Sequence, residues 1–196
     1  MAKYYAVRKG YQTGIFSTWK ECQQQVNGFS GAEYKSFTSL QEAKNFINPQ
    51  PSIINNENGL IAYVDGSYHL ARHEYGYGCV LIDQNQIIQK LKGKASDEDN
   101  VSMRNVAGEI LGSQVAIQYA IDHHYPAIYI YYDYEGIEKW ATGVWKANKK
   151  GTQAYQKFIE KSREKIEIAF IKVLAHSGDV YNEMADQLAK QAVGIK

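Results

Sequence analysis

Four acidic residues stand far apart in the chain, each in a setting that can aim it at one point: Asp65 in IAYVDGS, Glu109 in RNVAGEI, Asp133 in IYIYYDYEG and Asp186 in NEMADQLAK. Carboxylates so arranged are metal ligands first. Asp65 follows a β-rich run at 60–64 and Asp133 follows another at 127–132, so both belong on or at the ends of adjacent strands, while Glu109 and Asp186 fall in helical patterns. Four like charges drawn into one cleft raise one another's pKa unless cations neutralise them. Oxygen-only ligation without cysteine favours Mg2+, with Mn2+ as the alternative, over zinc. Two such ions about 3.5 to 4 Å apart would clamp the attacking and leaving oxygens of an in-line phosphoryl displacement. Any one of these carboxylates taken alone is more often a solvated surface charge. An aspartate at the end of a buried-strand pattern is costly unless compensated, and here that setting occurs twice.

The elements that must position these groups follow from the apolar pattern. Residues 60–64, 77–82 and 86–91 read as three strands of an antiparallel meander, with Asp83, Gln84 and Asn85 as the second turn. Residues 103–122 place Val106, Ile110, Ile117 and Ile121 at helical spacing with Glu109 on an adjacent line, so the glutamate can reach the sheet edge. A strand and then a helix follow twice more. His69, His73, His123 and His124 have no ligand spacing with cysteine and read as surface residues, the last two ending the long helix where positive charge suits its dipole.

The order Asp65, Glu109, Asp133, His176, Asp186, with VDGS, MRNVAGE and LAHSGDVYNEMAD, resembles ribonuclease H of type 1 over residues 60–193. The resemblance implies an α/β ribonuclease H-like fold, a five-stranded mixed sheet flanked by helices. It implies two Mg2+ ions bound with substrate and endonucleolytic cleavage of the RNA strand of RNA/DNA hybrids, leaving 5′-phosphate and 3′-hydroxyl ends. The four carboxylates match the family's metal ligands, with Asp65 the expected bridging ligand, and His176 matches its loop histidine. Many relatives place two asparagines before the catalytic glutamate's glycine or alanine; here Asn105 keeps a substrate role and Val106 cannot donate a side-chain hydrogen bond. A polynucleotidyl transferase or exonuclease on the same fold is a competing reading, against which the first strand lacks an acid two positions after Asp65. A non-catalytic hybrid binder is another, and it leaves the four carboxylates unexplained.

Ahead of residue 48, KYYAVRKG, GIFSTWKECQQQVNGFSGAEYKSF and SLQEAKNFI resemble the small α+β hybrid-binding domain at the N-terminus of cellular ribonucleases H1. That resemblance implies that Tyr5, Trp19 and Tyr34 face the DNA strand, with Lys35 on phosphate and backbone amides around Gly28 to Gly31 meeting RNA 2′-hydroxyls. The family's second lysine is Ser36 here, which should weaken binding. Read without the family, most of these aromatics could be core in a segment this short. Exposed aromatics are nevertheless what nucleic-acid modules stack on sugars and bases. Residues 1–48 hold six Lys or Arg against three Glu, a net +3 suited to phosphate.

NPQPSIINNENG carries two of the three prolines and four asparagines and reads as a linker spanning roughly 20 Å. The expected organisation is a hybrid-binding domain at 1–48, a linker at 49–59 and a catalytic domain at 60–196. The chain is 44% hydrophobic and 22% charged over 196 residues with a net charge of +1, so basic character must be local. It gathers at 139–165, where eight Lys or Arg stand against two Glu and flank Trp140 and Trp145. Trp140 is expected to pin its helix to the core. Without an apolar leader or spanning run, and with Cys22 and Cys79 in different domains, a cytoplasmic monomer without membrane contact, disulfide or obligate protein partner is expected.

Overall fold

The computed structural model describes residues 3–47, 59–173 and 179–195. The chain divides into two units, Met1–Ser52 and Ile53–Lys196.

In the first unit β1 (Tyr4–Lys9) is the middle strand of an antiparallel sheet, between β2 (Gly14–Phe16) and β3 (Glu33–Phe37). Strand alternation sends Val7 to one face, where it is buried with Cys22 and Val26 of α1 (Trp19–Val26). Ala6, also buried, and Arg8 point to the other face, where Arg8 lies 5.1 Å from the ring of Phe46 in α2 (Leu40–Ile47). Thr18 and Glu21 close a reciprocal capping box that starts α1 at Trp19.

The second unit contains β4 (Gly59–His69), β5 (Glu74–Asp83), β6 (Gln86–Ala95), α3 (Glu98–Val101), α4 (Asn105–Asp122), β7 (Ala127–Tyr132), α5 (Gly136–Ala141), α6 (Lys150–Ser162), β8 (Glu167–Lys172) and α7 (Val180–Ala192). Its five-stranded sheet runs β6-β5-β4-β7-β8, with β4, β5 and β6 antiparallel and β7 and β8 parallel to β4. This is the mixed sheet flanked by helices that the sequence led us to expect. Leu60, Ala62 and Val64 pack with Ile110 and Ile117 of α4 on one face; Ile61 and Tyr63 pack with Ala185 of α7 on the other. A strand covered on both faces is apolar at every position, which is why 60–64 reads as a continuous run.

The three meander strands are longer than their apolar runs. β4 continues through Asp65 to His69, because β5 still satisfies its backbone from Asp65 opposite Gly78 to His69 opposite Glu74. A short helical turn, Leu70–Arg72, then leads to His73 at φ +50°. Gln84 and Asn85, both at positive φ, make the tight β5–β6 hairpin at the expected turn. α4 starts at Asn105, two residues after the expected start, because Arg104 at φ +55° breaks the helix ahead of it. His123 and His124 do end α4, their ring nitrogens meeting the carbonyls of Tyr119 and Ile121. Cys22 and Cys79 are buried free thiols, one in each unit. Among the described residues no helix is long and apolar enough to cross a membrane.

Candidate metal centre and nucleic-acid interface

Pairing between β4 and β7 is recorded as far as Tyr63 opposite Tyr131, so Asp65 and Asp133 stand side by side two residues further on. Asp133 follows the carboxyl end of β7, and Asp65 lies on β4 just past the last residue paired with β7, where α/β sheets form their ligand crevices. Glu109 comes from the second turn of α4, and the helix reaches it by main-chain contact. A Cβ on Gly66 would overlap the Asn105 carbonyl, and one on Gly108 would overlap the Gly76 carbonyl and come within 2.9 Å of Gly66 Cα. Glycine at both positions lets α4 settle directly onto the sheet beside Asp65. One ligand oxygen each from Asp65, Glu109 and Asp133 lies within 4.8 Å of the others.

The electrostatics of this cluster are unfavourable in the absence of a cation. Burial, then the charge of Asp133, pushes the Asp65 carboxyl up to about 7, although its Oδ1 accepts the Gly66 N–H at 2.6 Å. Glu109 is 2% exposed, and burial followed by the charges of Asp133 and Asp65 raises it well above the ordinary carboxylate range. The Tyr134 amide favours its ionised form, yet Oε2 is buried without a hydrogen-bond partner. A buried carboxylate oxygen lacking a donor, in a pocket shared with two more carboxylates, fits a hard divalent cation.

Asp186 lies outside that trio but close enough for its charge to raise Asp65. Its Oδ2 accepts from the Lys190 ammonium one helical turn on, at 2.6 Å. The DQLAK spacing encodes this pair, which the sequence reading passed over. α7 is itself seated closely, since a Cβ on Gly78 would meet the Ala185 carbonyl and the Ala189 amide. The pair of glycines in EYGYG, two residues apart on one strand, is the sequence signal for that approach. His176 lies outside the described residues.

A cleft of about 370 Å³ opens at Tyr134, the residue after Asp133, and is lined also by Met103, Val106, Trp140, Lys146 and Lys149. Trp140 packs partly on the core as expected, and it also walls this cleft, 5.7 Å from Trp145. Val106 faces core and cleft together, whereas Asn105 is exposed. Of the basic stretch, Lys139 pairs with Glu135, which Lys172 of β8 also meets, and Lys150 pairs with Asp99.

In the first unit Trp19 sits between Tyr5 and Tyr34, with ring centroids 5.9 and 5.7 Å away. Trp19 is 43% and Tyr34 47% exposed, while Tyr5 is half-buried against the unit's core. Lys35 follows Tyr34 on β3 and is exposed, but strand alternation sends it to the other face of the sheet, its ammonium 5.6 Å from the Phe37 ring. By contrast Phe37 and Phe46 pack on each other and Phe16 joins the core.

The family described as RNase H matches residues 57–194, and the ribonuclease H1 N-terminal domain matches residues 3–47. The chain belongs to the ribonuclease H family. Its two matched segments together are those of a type 1 ribonuclease H with the N-terminal domain. Ribonuclease H of Saccharomyces cerevisiae is 53% identical over 53 residues, covering 27% of this chain and only 15% of the yeast protein. Human ribonuclease H1 is 26% identical over 253 aligned positions, covering 96% of this chain and 88% of the human one. The crystal structure of RNase H1 from the halophilic archaeon Halobacterium salinarum superposes with a TM-score of 0.57 at 21% identity, over 68% of this chain and 96% of that one.

Proposed function

We propose that this chain is an endoribonuclease that cleaves the RNA strand of RNA/DNA hybrids in the presence of Mg2+. The observation that carries the reading is Glu109 Oε2, buried without a partner in a pocket shared with Asp65 and Asp133. Asp65, Glu109, Asp133 and Asp186 would hold the metal, Asp186 after parting from Lys190. Bound as a pair, divalent cations supply an activated water and charge neutralisation at the scissile phosphate. The chain's own groups do the rest. Glycine-seated helices fix the spacing of the carboxylates, Asn105 at the head of α4 meets the RNA, and the Trp140 and Lys146 cleft receives backbone phosphate and sugar. His176 assists proton movement or product departure, a task suited to an imidazole. The products carry 5′-phosphate and 3′-hydroxyl ends.

In this reading residues 1–48 are a hybrid-binding module, 49–59 a linker and 60–196 the catalytic domain, working as a monomer in the cytoplasm. Tyr5, Trp19 and Tyr34 form the module's face for the DNA strand, and Lys35, the next residue along β3, takes phosphate. The test is one gel: labelled RNA/DNA hybrid, dsRNA, ssRNA and dsDNA incubated with Mg2+ or with EDTA. Internal cutting of RNA in the hybrid alone, abolished by EDTA, is the expected outcome; cutting from the ends, or of dsDNA, would replace the reading with a different nuclease.

A further inference from the structure

The N-terminal unit carries a second exposed aromatic group, at the opposite end of α1 from Trp19. Tyr11 is 65% exposed, more than Trp19 or Tyr34. Its ring meets Phe29 edge-on, centroids 5.3 Å apart at 84°. Both residues are tied to the last turn of the helix, the Tyr11 N–H donating to the Gln25 carbonyl at 2.8 Å and the Phe29 N–H to the Val26 carbonyl at 3.2 Å. Trp19 opens the same helix. At 1.5 Å per residue the step from Trp19 to Gln25 is about 9 Å, so the two aromatic groups stand at separate points along the helix.

The surroundings of Tyr11 have a consistent chemistry. Gly28, at φ +79°, lies beside its hydroxyl: an added Cβ would sit 3.6 Å from that oxygen. Gly31, at φ +74°, stands in the same relation to Lys9, with 3.7 Å from an added Cβ to the ammonium. At these two positions the turn presents no side chain beside the Tyr11 hydroxyl or beside the Lys9 ammonium. A flat apolar ring with a polar edge packs on a sugar face, and a phenol can donate to or accept from a ribose 2′-hydroxyl. The ammonium suits the neighbouring phosphate.

We infer that Tyr11, braced by Phe29, is a ribose-binding residue for the RNA strand: its ring packs on the sugar, its hydroxyl bonds the 2′-hydroxyl, and Lys9 takes the adjoining phosphate. The inference rests on the hybrid-binding reading of this module and adds a residue that selects RNA over DNA on the second strand. The test uses the full chain carrying Asp133→Asn, to prevent cutting, and measures binding to an RNA/DNA hybrid and to dsDNA of the same sequence. Tyr11→Ala should weaken hybrid binding about five- to twentyfold, in line with the loss of one aromatic platform. Tyr11→Phe, which keeps the packing on Phe29 and so guards against misfolding, should weaken it about two- to fivefold through the lost hydrogen bond. Binding to dsDNA should barely change in either. Equal losses on both duplexes would overturn the inference, as would a Tyr11→Ala protein that binds hybrid like its parent while Trp19→Ala does not. If Trp19→Ala also bound like its parent, the hybrid-binding reading of the module would fall, and this inference with it.

Discussion

Asp133 contributes negative charge to a cluster that already holds too much of it, so its value to the protein must lie in what that charge attracts. Asp133→Asn keeps the shape and removes the charge. Turnover should fall by several orders of magnitude with hybrid affinity nearly intact, because phosphate and sugar contacts are spread over other residues; near-normal cleavage would sink the ligand assignment. Asp65 makes the same case through stability. Its carboxyl titrates near 7 when folded against 3.8 ordinarily. The metal-free folded state thus holds that proton more tightly than the unfolded chain, and this group's contribution to stability is lost as pH rises from about 4 through about 7. In EDTA, Asp65→Asn should therefore melt higher than the parent at about pH 8 and nearly level with it at about pH 4, and Mg2+ should raise the melting temperature of the parent far more than that of the variant. A variant that tracked the parent at every pH would contradict the buried charge. These carboxylates were legible in the sequence because apolar strands lead into two of them. Lys190 was not, since an i, i+4 lysine on a helix is ordinarily a solvated partner.

Elements, more than side chains, set the geometry around those carboxylates. α4 rests on β4 and β5 where Gly66, Gly76 and Gly108 meet, and α7 rests on β5 at Gly78. Gly66→Ala or Gly108→Ala inserts a methyl group into main-chain contact and should cost about 1 to 3 kcal/mol, read as a lower denaturant midpoint. Because α4 must lift to make room, the same variants should need more Mg2+ for half-maximal activity; unchanged metal dependence would show that Glu109 is positioned some other way. Hydrophobic period alone yielded the strand and helix types and the turn at Gln84 and Asn85. It did not yield the strand ends, because β4 from Asp65 to His69 is held by pairing with β5 and not by apolar residues. Nor did it reveal the closeness of the helices, which depends on glycines whose significance appears only when two elements cross.

For the molecule as a whole, every proposed metal ligand lies beyond residue 60, while the exposed aromatic rings of the first unit carry none of them. Deleting residues 1–58 should raise the hybrid concentration needed for half-maximal cleavage far more than it lowers saturated turnover, since tethering turns a second contact into an intramolecular one. Trp19→Ala should reproduce much of that loss, and the deficit should change with salt because the module's charge acts on phosphate. Steady-state cleavage of a long hybrid at two salt concentrations checks both; a truncated enzyme binding as tightly as the full chain would assign the module another task. The placement of the three tryptophans also makes the chain its own optical reporter. Trp19 lies in one unit and is open to quenching by a stacked sugar or base, whereas Trp140 and Trp145 adjoin Tyr134 in the other. In a Trp19→Phe protein all remaining indole emission arises around Tyr134, the residue after Asp133, so its titration reports, without any added dye, when the second unit takes hold of a duplex.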